Sequence, residues 1–231
     1  MAAPWLFRMR WLDLLFAHWP VDGEALRAHL PADVELETFD DRAWLGVVPF
    51  TMADVSPRGL PALPRLSRFP EVNVRTYVRH RGVPGVWFLS LDAASRPTVW
   101  GGQAVFHLPY HLARMRAGRD EAGFVDSVSR RRAADVRFGA RYRAIGPVEA
   151  AAPGSFDEWS TDRKRLFSID RGGTIWRSEI DHAAWPLQPA AGFVAAADVA
   201  GALGLSLPDD EEPILRYAAR IDVRGWPPVR A

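Results

Sequence analysis

The stretch that decides the fold is residues 71–93, which read EVNVRTYVRHRGVPGVWFLSLDA. Two runs rich in β-branched and aromatic residues, 73–80 and 86–93, flank a short segment that contains glycine and proline. This pattern predicts a β-hairpin. Residues 104–108 predict a third strand, which leads into the sequence Leu-Pro-Tyr-His at 108–111. We therefore expect a β-rich domain organised around these strands.

Polar side chains alternate with apolar ones along the three predicted strands. Side chains of like parity share one face of a strand, so each strand has a polar face and an apolar face. The predicted polar stripes comprise Glu71, Asn73, Arg75 and Tyr77 on the first strand, Ser90 and Asp92 on the second, and Gln103 and His107 on the third.

Two interpretations of these stripes stay open at this point. A sheet with one solvated face gives the same alternation. A ligand cavity is the alternative, and the residue types favour it, because solvated faces usually carry Lys, Glu and Thr rather than Asn, Arg, Tyr, Asp, Gln and His. Such side chains form hydrogen bonds readily and perturb one another's pKa values.

The rest of the chain adds further strands and short helices, with no alternating βαβ order, which predicts one β-rich domain over residues 1–231. A proline-rich loop is expected over 56–70, and Asp22 and Ser155 are expected to cap short helices. The other predicted elements are a strand at 11–19, a hairpin of 36–39 with 43–52, strands at 125–130 and 133–142, a hairpin of 167–170 with 174–180, a helix at 195–203 and a strand at 217–223.

Composition excludes several classes of function. The chain has 231 residues, 48% hydrophobic and 25% charged, with a net charge of +1, so it has no bulk attraction to nucleic acid or anionic membranes. It contains no cysteine, which excludes disulfides, thiolate catalysis and cysteine-based zinc sites. No signal-peptide core or membrane-spanning run is evident, so we expect a cytoplasmic protein that binds neither nucleic acid nor membrane.

Several separated strings are similar to the YqjF-like proteins, which carry domain of unknown function 2071. These strings are 14–21, 44–52, 73–77, 108–110 and 182–188. The central part, 69–71, 82–92 and 102–113, also resembles acetoacetate decarboxylase. The resemblance implies a mainly β (α+β) fold: an acetoacetate decarboxylase-like antiparallel β-barrel with a few short covering helices and a pocket among its central strands.

Carried over residue by residue, the resemblance keeps one pocket residue and loses the catalytic amine. Glu71 matches the glutamate that lines the decarboxylase pocket, whereas Tyr110 and His111 stand where that family has two lysines. Lys164 is the only lysine of the chain and lies in a charged run, which is usually solvated. A Schiff base needs a primary amine, so we expect no Schiff-base decarboxylation.

The sequence therefore predicts a small-molecule site for an anionic or carbonyl ligand, with lyase, hydratase or isomerase chemistry. A non-catalytic metabolite-binding or sensing protein and a structural or interaction module are the alternatives, and a homo-oligomer is left open. No cofactor is expected, and no metal, because Pro109 interrupts the His107–His111 spacing. His182 is interpreted as a structural histidine beside Trp185. The candidate catalytic residues are Glu71, Tyr110 and His107, and the candidate ligand-binding residues are Asn73, Arg75, Asp92, Gln103, His111 and Trp87.

Overall fold

The computed structural model describes residues 4–62 and 67–231 and consists mainly of strands. The helices are α1 (Gly23–Arg27), α2 (Arg96–Val105), α3 (Phe156–Thr161) and α4 (Ala197–Gly201). The strands are β1 (Phe7–Val21), β2 (Glu35–Leu36), β3 (Ala43–Pro57), β4 (Phe69–His80), β5 (Val83–Ala93), β6 (Tyr110–Arg119), β7 (Val125–Arg131), β8 (Arg137–Ala144), β9 (Arg165–Ile169), β10 (Ile175–His182), β11 (Gln188–Ala195), β12 (Ile214–Gly225) and β13 (Val229–Arg230).

The strand pairings close into two rings that share a wall. The larger ring runs β5-β6-β7-β8-β11-β12-β1-β3-β4 and back to β5. The smaller ring leaves β5 through β9 and β10 to β12 and returns through the same β1, β3 and β4. The pairings are antiparallel except β5 with β6 and β5 with β9. This confirms the predicted mainly β antiparallel barrel with short helices.

The shared wall explains why its strands are apolar on both faces. In β3, Val47 belongs to the core cluster that also contains β7 and β8 residues, inside the larger ring. Its neighbours Val48 and Phe50 belong to a second cluster, inside the smaller ring. Because successive side chains of a strand point to opposite faces, each shared strand must supply apolar side chains to both interiors.

The predicted third strand at 104–108 is wrong, because its first residues end the helix α2. Ser95 caps this helix: its Oγ accepts a hydrogen bond from the Thr98 backbone N–H at 3.4 Å, and Pro97 lies in the first turn. After the helix, His107 takes a positive φ of 53°, which turns the chain into β6. Gln103 therefore has helical rather than strand geometry.

The hairpin of 73–80 with 86–93 is confirmed as β4 and β5. Arg81 and Gly82 make its turn with φ values of 50° and 77°, as two-residue hairpin turns require. The hairpin of 36–39 with 43–52 is found only at its turn, where Phe39 and Arg42 form an isolated antiparallel bridge. Although Asp40 and Asp41 do form a turn, β2 pairs with β4, and β3 pairs with β1 and β4. Both edges of β3 are thus paired with long strands, and a short hairpin partner is not needed.

Most of the remaining predicted elements are found, with shifted ends. The strands at 125–130 and 133–142 are β7 and β8, the second hairpin is β9 with β10, and the last long strand is β12. Asp22, Ser155 and the segment 195–203 begin or contain short helices as expected. The proline-rich loop includes 63–66, which lie outside the described residues. Within the described ranges, no helix has both the length and the hydropathy needed to cross a bilayer.

Candidate functional site

The smaller ring encloses a cavity of about 660 Å³. Its lining is mostly apolar and aromatic and comes from β1, β3, β4, β5, α2, β9 and β10. A small set of polar side chains interrupts this lining, which is the usual composition of a small-molecule site. The polar side chains of the lining include Glu71, Asn73, Arg75, Tyr110, Arg163, Ser178 and His182.

Strand β4 supplies three of these polar groups because alternate residues of a strand share a face. Glu71, Asn73 and Arg75 line the cavity, while Val72 and Val74 pack into the core of the larger ring. The cavity interpretation therefore describes this stripe better than a solvated face, since the three side chains are at most 9% exposed. The functional role of each residue stays a prediction.

Glu71 is a buried carboxyl group with one hydrogen-bond partner. Glu71 is only 3% exposed, and its Oε2 accepts a hydrogen bond from the Tyr110 hydroxyl at 3.1 Å. Among the described residues it has no cationic partner within ion-pair distance. Burial raises the pKa of Glu71 to about 8, against a smaller lowering by the Tyr110 hydrogen bond. The carboxyl is thus mainly protonated at neutral pH.

Arg75 is a buried cation at the other end of the same stripe. Its Nη2 donates to the Ser160 carbonyl oxygen at 3.0 Å and to the Tyr77 hydroxyl at 3.5 Å, and its guanidinium lies 5.4 Å from the centre of the Phe16 ring. Its Nε has no hydrogen-bond partner. No carboxylate among the described residues lies within ion-pair distance of this guanidinium.

Two residues of α2 hold Tyr110 against Glu71. The Gln103 side-chain amide donates to the Tyr110 carbonyl oxygen at 2.8 Å. Gly102 packs flat on the tyrosine ring: a Cβ at this position would lie 2.3 Å from Tyr110 Cδ2. Gln103 was expected to contact a ligand, and instead it positions the backbone of Tyr110 from outside the cavity.

Replacing Gly102 by alanine is expected to displace the Tyr110 ring and to destabilise the protein by about 1–3 kcal/mol, as overpacking does. Gly101 is the matched control, because a Cβ there meets nothing within 4 Å. Gly101→Ala should stabilise the helix by a few tenths of a kcal/mol or more. Chemical denaturation of the two variants measures the difference, and equal stabilities would contradict the tight contact.

His107 and Trp87 lie away from the cavity. Both border a separate cleft on the outer side of α2, together with Gln103 and Trp100. The His107 ring packs 5.4 Å from the ring centre of Trp176. The expectation that His107 shares a wall with Glu71 is therefore corrected: it followed from treating 104–108 as a strand, whereas the chain there leaves a helix.

Asp92 and His111 also lie elsewhere, because Asp92 is paired in register with Val72 and so faces the larger ring. Asp92 Oδ1 accepts from Arg131 Nε at 2.7 Å, and its Oδ2 accepts from the Ser129 hydroxyl at 2.8 Å. His111 is the register partner of Asp92 on β6, and burial followed by the Arg131 charge lowers its pKa. Asp92, Ser129 and Arg131 thus form a satisfied ion-pair network outside the cavity.

The sequence interpretation missed Arg163, which was included in a charged run expected to be solvated. Arg163 lines the cavity with its side chain 7% exposed and donates from Nη1 to Glu37 Oε2 at 2.7 Å. The signal was alternation, since Arg163 and Arg165 line the cavity whereas Lys164 does not belong to the described lining. Lys164 has 46% of its side chain exposed.

His182 lies on the cavity wall beside an indole. Its ring is 5.1 Å from the centre of the Trp185 ring, as the structural interpretation predicted, and its Nδ1 is 2.8 Å from the Ala183 carbonyl oxygen. Burial lowers the pKa of His182. Trp185 donates through Nε1 to the Thr161 carbonyl oxygen at 2.8 Å, which fixes the indole as part of the wall. Among the described residues, no group of three acidic or histidine side chains is placed to hold a metal ion.

Nearly the whole chain matches one protein family. Residues 8–222 match the DUF2071 family model, described as an uncharacterized conserved protein. This chain belongs to the DUF2071 family. It is 40% identical over 224 residues to the uncharacterized protein YqjF of Bacillus subtilis, covering 96% of this chain and 91% of that protein. The expected relationship to YqjF-like proteins is confirmed.

Solved structures with the same fold are distant in sequence. Acetoacetate decarboxylase from Legionella pneumophila superposes with a TM-score of 0.70 at 16% identity, over 100% of this DUF2071 chain and 92% of that chain. The enduracididine biosynthesis enzyme MppR complexed with pyruvate gives 0.69 at 12% identity, over 100% and 91%. An acetoacetate decarboxylase-like enzyme from Sphingomonas wittichii gives 0.67 at 14%, over 99% and 94%. These likenesses confirm the decarboxylase-like fold.

Proposed function

We propose that this DUF2071 protein binds a carbonyl or carboxylate metabolite in the smaller ring and catalyses a lyase, hydratase or isomerase reaction on it. Glu71 transfers a proton to and from the substrate, Tyr110 orients the substrate oxygen, and Arg75 anchors an anionic group. The reaction uses no Schiff base, because the described cavity lining contains no lysine.

The observation that carries the proposal is the state of Glu71. A structural carboxyl in a protein interior is normally neutralised by a cation or by several donors. Glu71 has only the Tyr110 hydroxyl and lies beside open cavity space. A pKa of about 8 keeps both the acid and the base form accessible near neutral pH, which suits general acid–base catalysis.

The structural neighbours include enzymes, which is in keeping with chemistry on small carbonyl acids. One is described as a decarboxylase and another as a biosynthesis enzyme complexed with pyruvate. In this chain Tyr110 places a phenol next to Glu71. A phenol donates a hydrogen bond to a developing oxyanion but cannot form an imine, so proton transfer next to a carbonyl is the reaction that these groups support.

Deuterium exchange at the carbon next to a carbonyl tests this proposal with simple model compounds in place of the natural substrate. A panel of keto acids and ketones, first selected by thermal shift, is incubated with the protein in D₂O and followed by NMR. Exchange by the native chain is expected, with an inflection of the rate near pH 8. Glu71→Gln should reduce the exchange rate by about 10²–10⁴-fold, while Glu121→Gln on the surface leaves it unchanged.

Two results would count against the proposed catalysis. An exchange rate unaffected by Glu71→Gln would remove Glu71 from the mechanism. Ligands that raise the melting temperature but never exchange or turn over would favour the second candidate, a metabolite-binding or sensing protein, which the unpaired Arg75 supports equally well.

A further inference from the structure

The two charged or titratable ends of the cavity stripe are far apart. Glu71 and Arg75 are four residues apart on β4, so at the rise of an extended strand their Cα atoms lie about 13 Å apart. The Arg75 guanidinium contacts the hydroxyl of Tyr77, the residue two positions further along β4 from Glu71. A ligand that contacts both ends must therefore be long.

The wall between these ends is apolar. Phe16, Phe50 and Leu91 belong to one buried cluster and line the same cavity, and Trp185 completes it. Asn73 is the polar residue midway along β4, and its Oδ1 has no hydrogen-bond partner. The middle of the ligand is therefore expected to be a hydrocarbon body rather than a polyol or a second charged group, with at most one hydrogen-bond donor beside Asn73.

Arg75 and Arg163 differ in their charged partners, and this difference indicates which of them binds the anionic end of the ligand. Both guanidinium groups lie over the Tyr77 ring, at 5.6 Å and 5.3 Å from its centre. Arg163 is paired with Glu37, a carboxylate that it shares with Arg79. Arg75, in contrast, has no carboxylate partner among the described residues and faces a hydroxyl, a carbonyl oxygen and His18. Burial and the Arg75 charge hold the pKa of His18 well below its usual range, so this neighbour is neutral and supplies no compensating charge.

The volume of the cavity also favours a long ligand. Its volume of about 660 Å³ lies within the range of pockets that enclose drug-sized ligands. A four-carbon keto acid anchored on Arg75 would leave most of the apolar wall uncovered and would not reach Glu71. Covering that wall is what stabilises a complex in an apolar cavity.

We propose that the cavity takes an elongated monocarboxylate, with its carboxylate on Arg75, a hydrocarbon body of about ten carbons along β4, and a carbonyl or hydroxyl group at Glu71 and Tyr110. The inference rests on the proposed function for the choice of cavity and of reacting end. The substrate class is then an amphiphilic fatty or arylalkyl acid carrying a second oxygen function remote from its carboxylate.

Calorimetric titration of unreactive acids tests the anionic end and the body separately from catalysis. The probes are butanoate, hexanoate, octanoate, decanoate and tetradecanoate, with the primary alcohol decanol and the ω-hydroxy form of decanoate. Affinity should rise about fourfold per added methylene up to decanoate and level off or fall at tetradecanoate. Decanol should bind at least about tenfold more weakly than decanoate, and the ω-hydroxy form should bind more weakly in Tyr110→Phe, which removes the phenol hydroxyl, than in the native chain.

Arg75→Gln should remove the preference for decanoate over decanol, while Arg116→Gln, at an exposed arginine of β6, should keep it. If butanoate binds as tightly as decanoate, or decanol as tightly as decanoate, the elongated-carboxylate inference is wrong even if Arg75→Gln fails to fold. Because these probes do not react, such a result would not affect the conclusion of the Glu71 exchange experiment. A failed exchange experiment would likewise not affect the conclusion of the chain-length series.

Discussion

Glu71→Gln is expected to make the protein more stable by about 5 kcal/mol above pH 8, although it removes the residue on which the proposed chemistry depends. The pKa of this carboxyl is about 8 in the folded chain and has an ordinary value of 4.5. Glutamine keeps an acceptor for the Tyr110 hydroxyl but never ionises, so it avoids the cost of a buried unpaired carboxylate.

The pH dependence of this effect has a definite sign. Below pH 4.5 the carboxyl is protonated in both the folded and the unfolded chain, and the two proteins should be equally stable. As the pH rises, the unfolded native chain releases this proton first, and the folded state loses relative stability until the pH passes about 8. The advantage of Glu71→Gln should therefore grow between these two pH values and then stay constant.

Urea denaturation of both proteins at a series of pH values measures this difference. In thermal unfolding near pH 8, the melting temperature of the variant should exceed that of the native chain by about 10 °C, given the size of the chain. Glu121→Gln, at an exposed carboxyl, is the control and should follow the native curve. A gap between Glu71→Gln and the native chain that is the same at pH 4 and pH 8 would contradict the raised pKa.

Arg131→Met is expected to destabilise the protein by about 3–5 kcal/mol, because it leaves the Asp92 carboxylate buried without its cation. The Arg131 and Asp92 side chains are 8% and 2% exposed, and their atoms Nε and Oδ1 are 2.7 Å apart. Arg131 also donates through Nη2 to the Ser90 hydroxyl at 2.9 Å. The network joins β5 to β7 within the larger ring.

The adjacent arginine supplies a matched control for this change. Arg130 has 61% of its side chain exposed in an ion pair with Asp135, so Arg130→Met should change stability by less than about 1 kcal/mol. Adding Asp92→Asn to Arg131→Met should recover part of the loss, since no charge is then left unpaired. Equal denaturation midpoints for the two arginine variants would contradict a structural role for this pair. Binding of decanoate in the cavity should be unaffected by either variant.

Local patterns in the sequence were enough to predict the class of the fold. Alternation along 73–80 and 86–93 specified the β4–β5 hairpin. What could not be predicted is that β3 is a wall between two interiors, since this depends on pairings between strands distant in the chain. The prediction of a strand at 104–108 failed for a different reason, because a short apolar run fits the end of a helix as well as a strand.

The candidate site was predictable to the extent that it lies on one strand. Glu71, Asn73 and Arg75 share a face whatever the partners of β4 are, so parity alone was sufficient. Asp92 was misplaced because its face depends on the register between β4 and β5, which pairs it with Val72. Arg163 was missed because its side chain is buried against Glu37 and Trp159. The charge pattern of its own segment indicates neither contact.

The wall shared by the two rings has a consequence for how this protein could be redesigned. On β4 the odd-numbered positions from 71 to 75 belong to the cavity and the even-numbered ones to the other core. Substitutions at these three alternate positions of one strand would therefore reshape the cavity without changing the side chains that pack into the larger ring. The same strand tolerates no insertion or deletion, because shifting its frame by one residue would exchange the two sets of side chains.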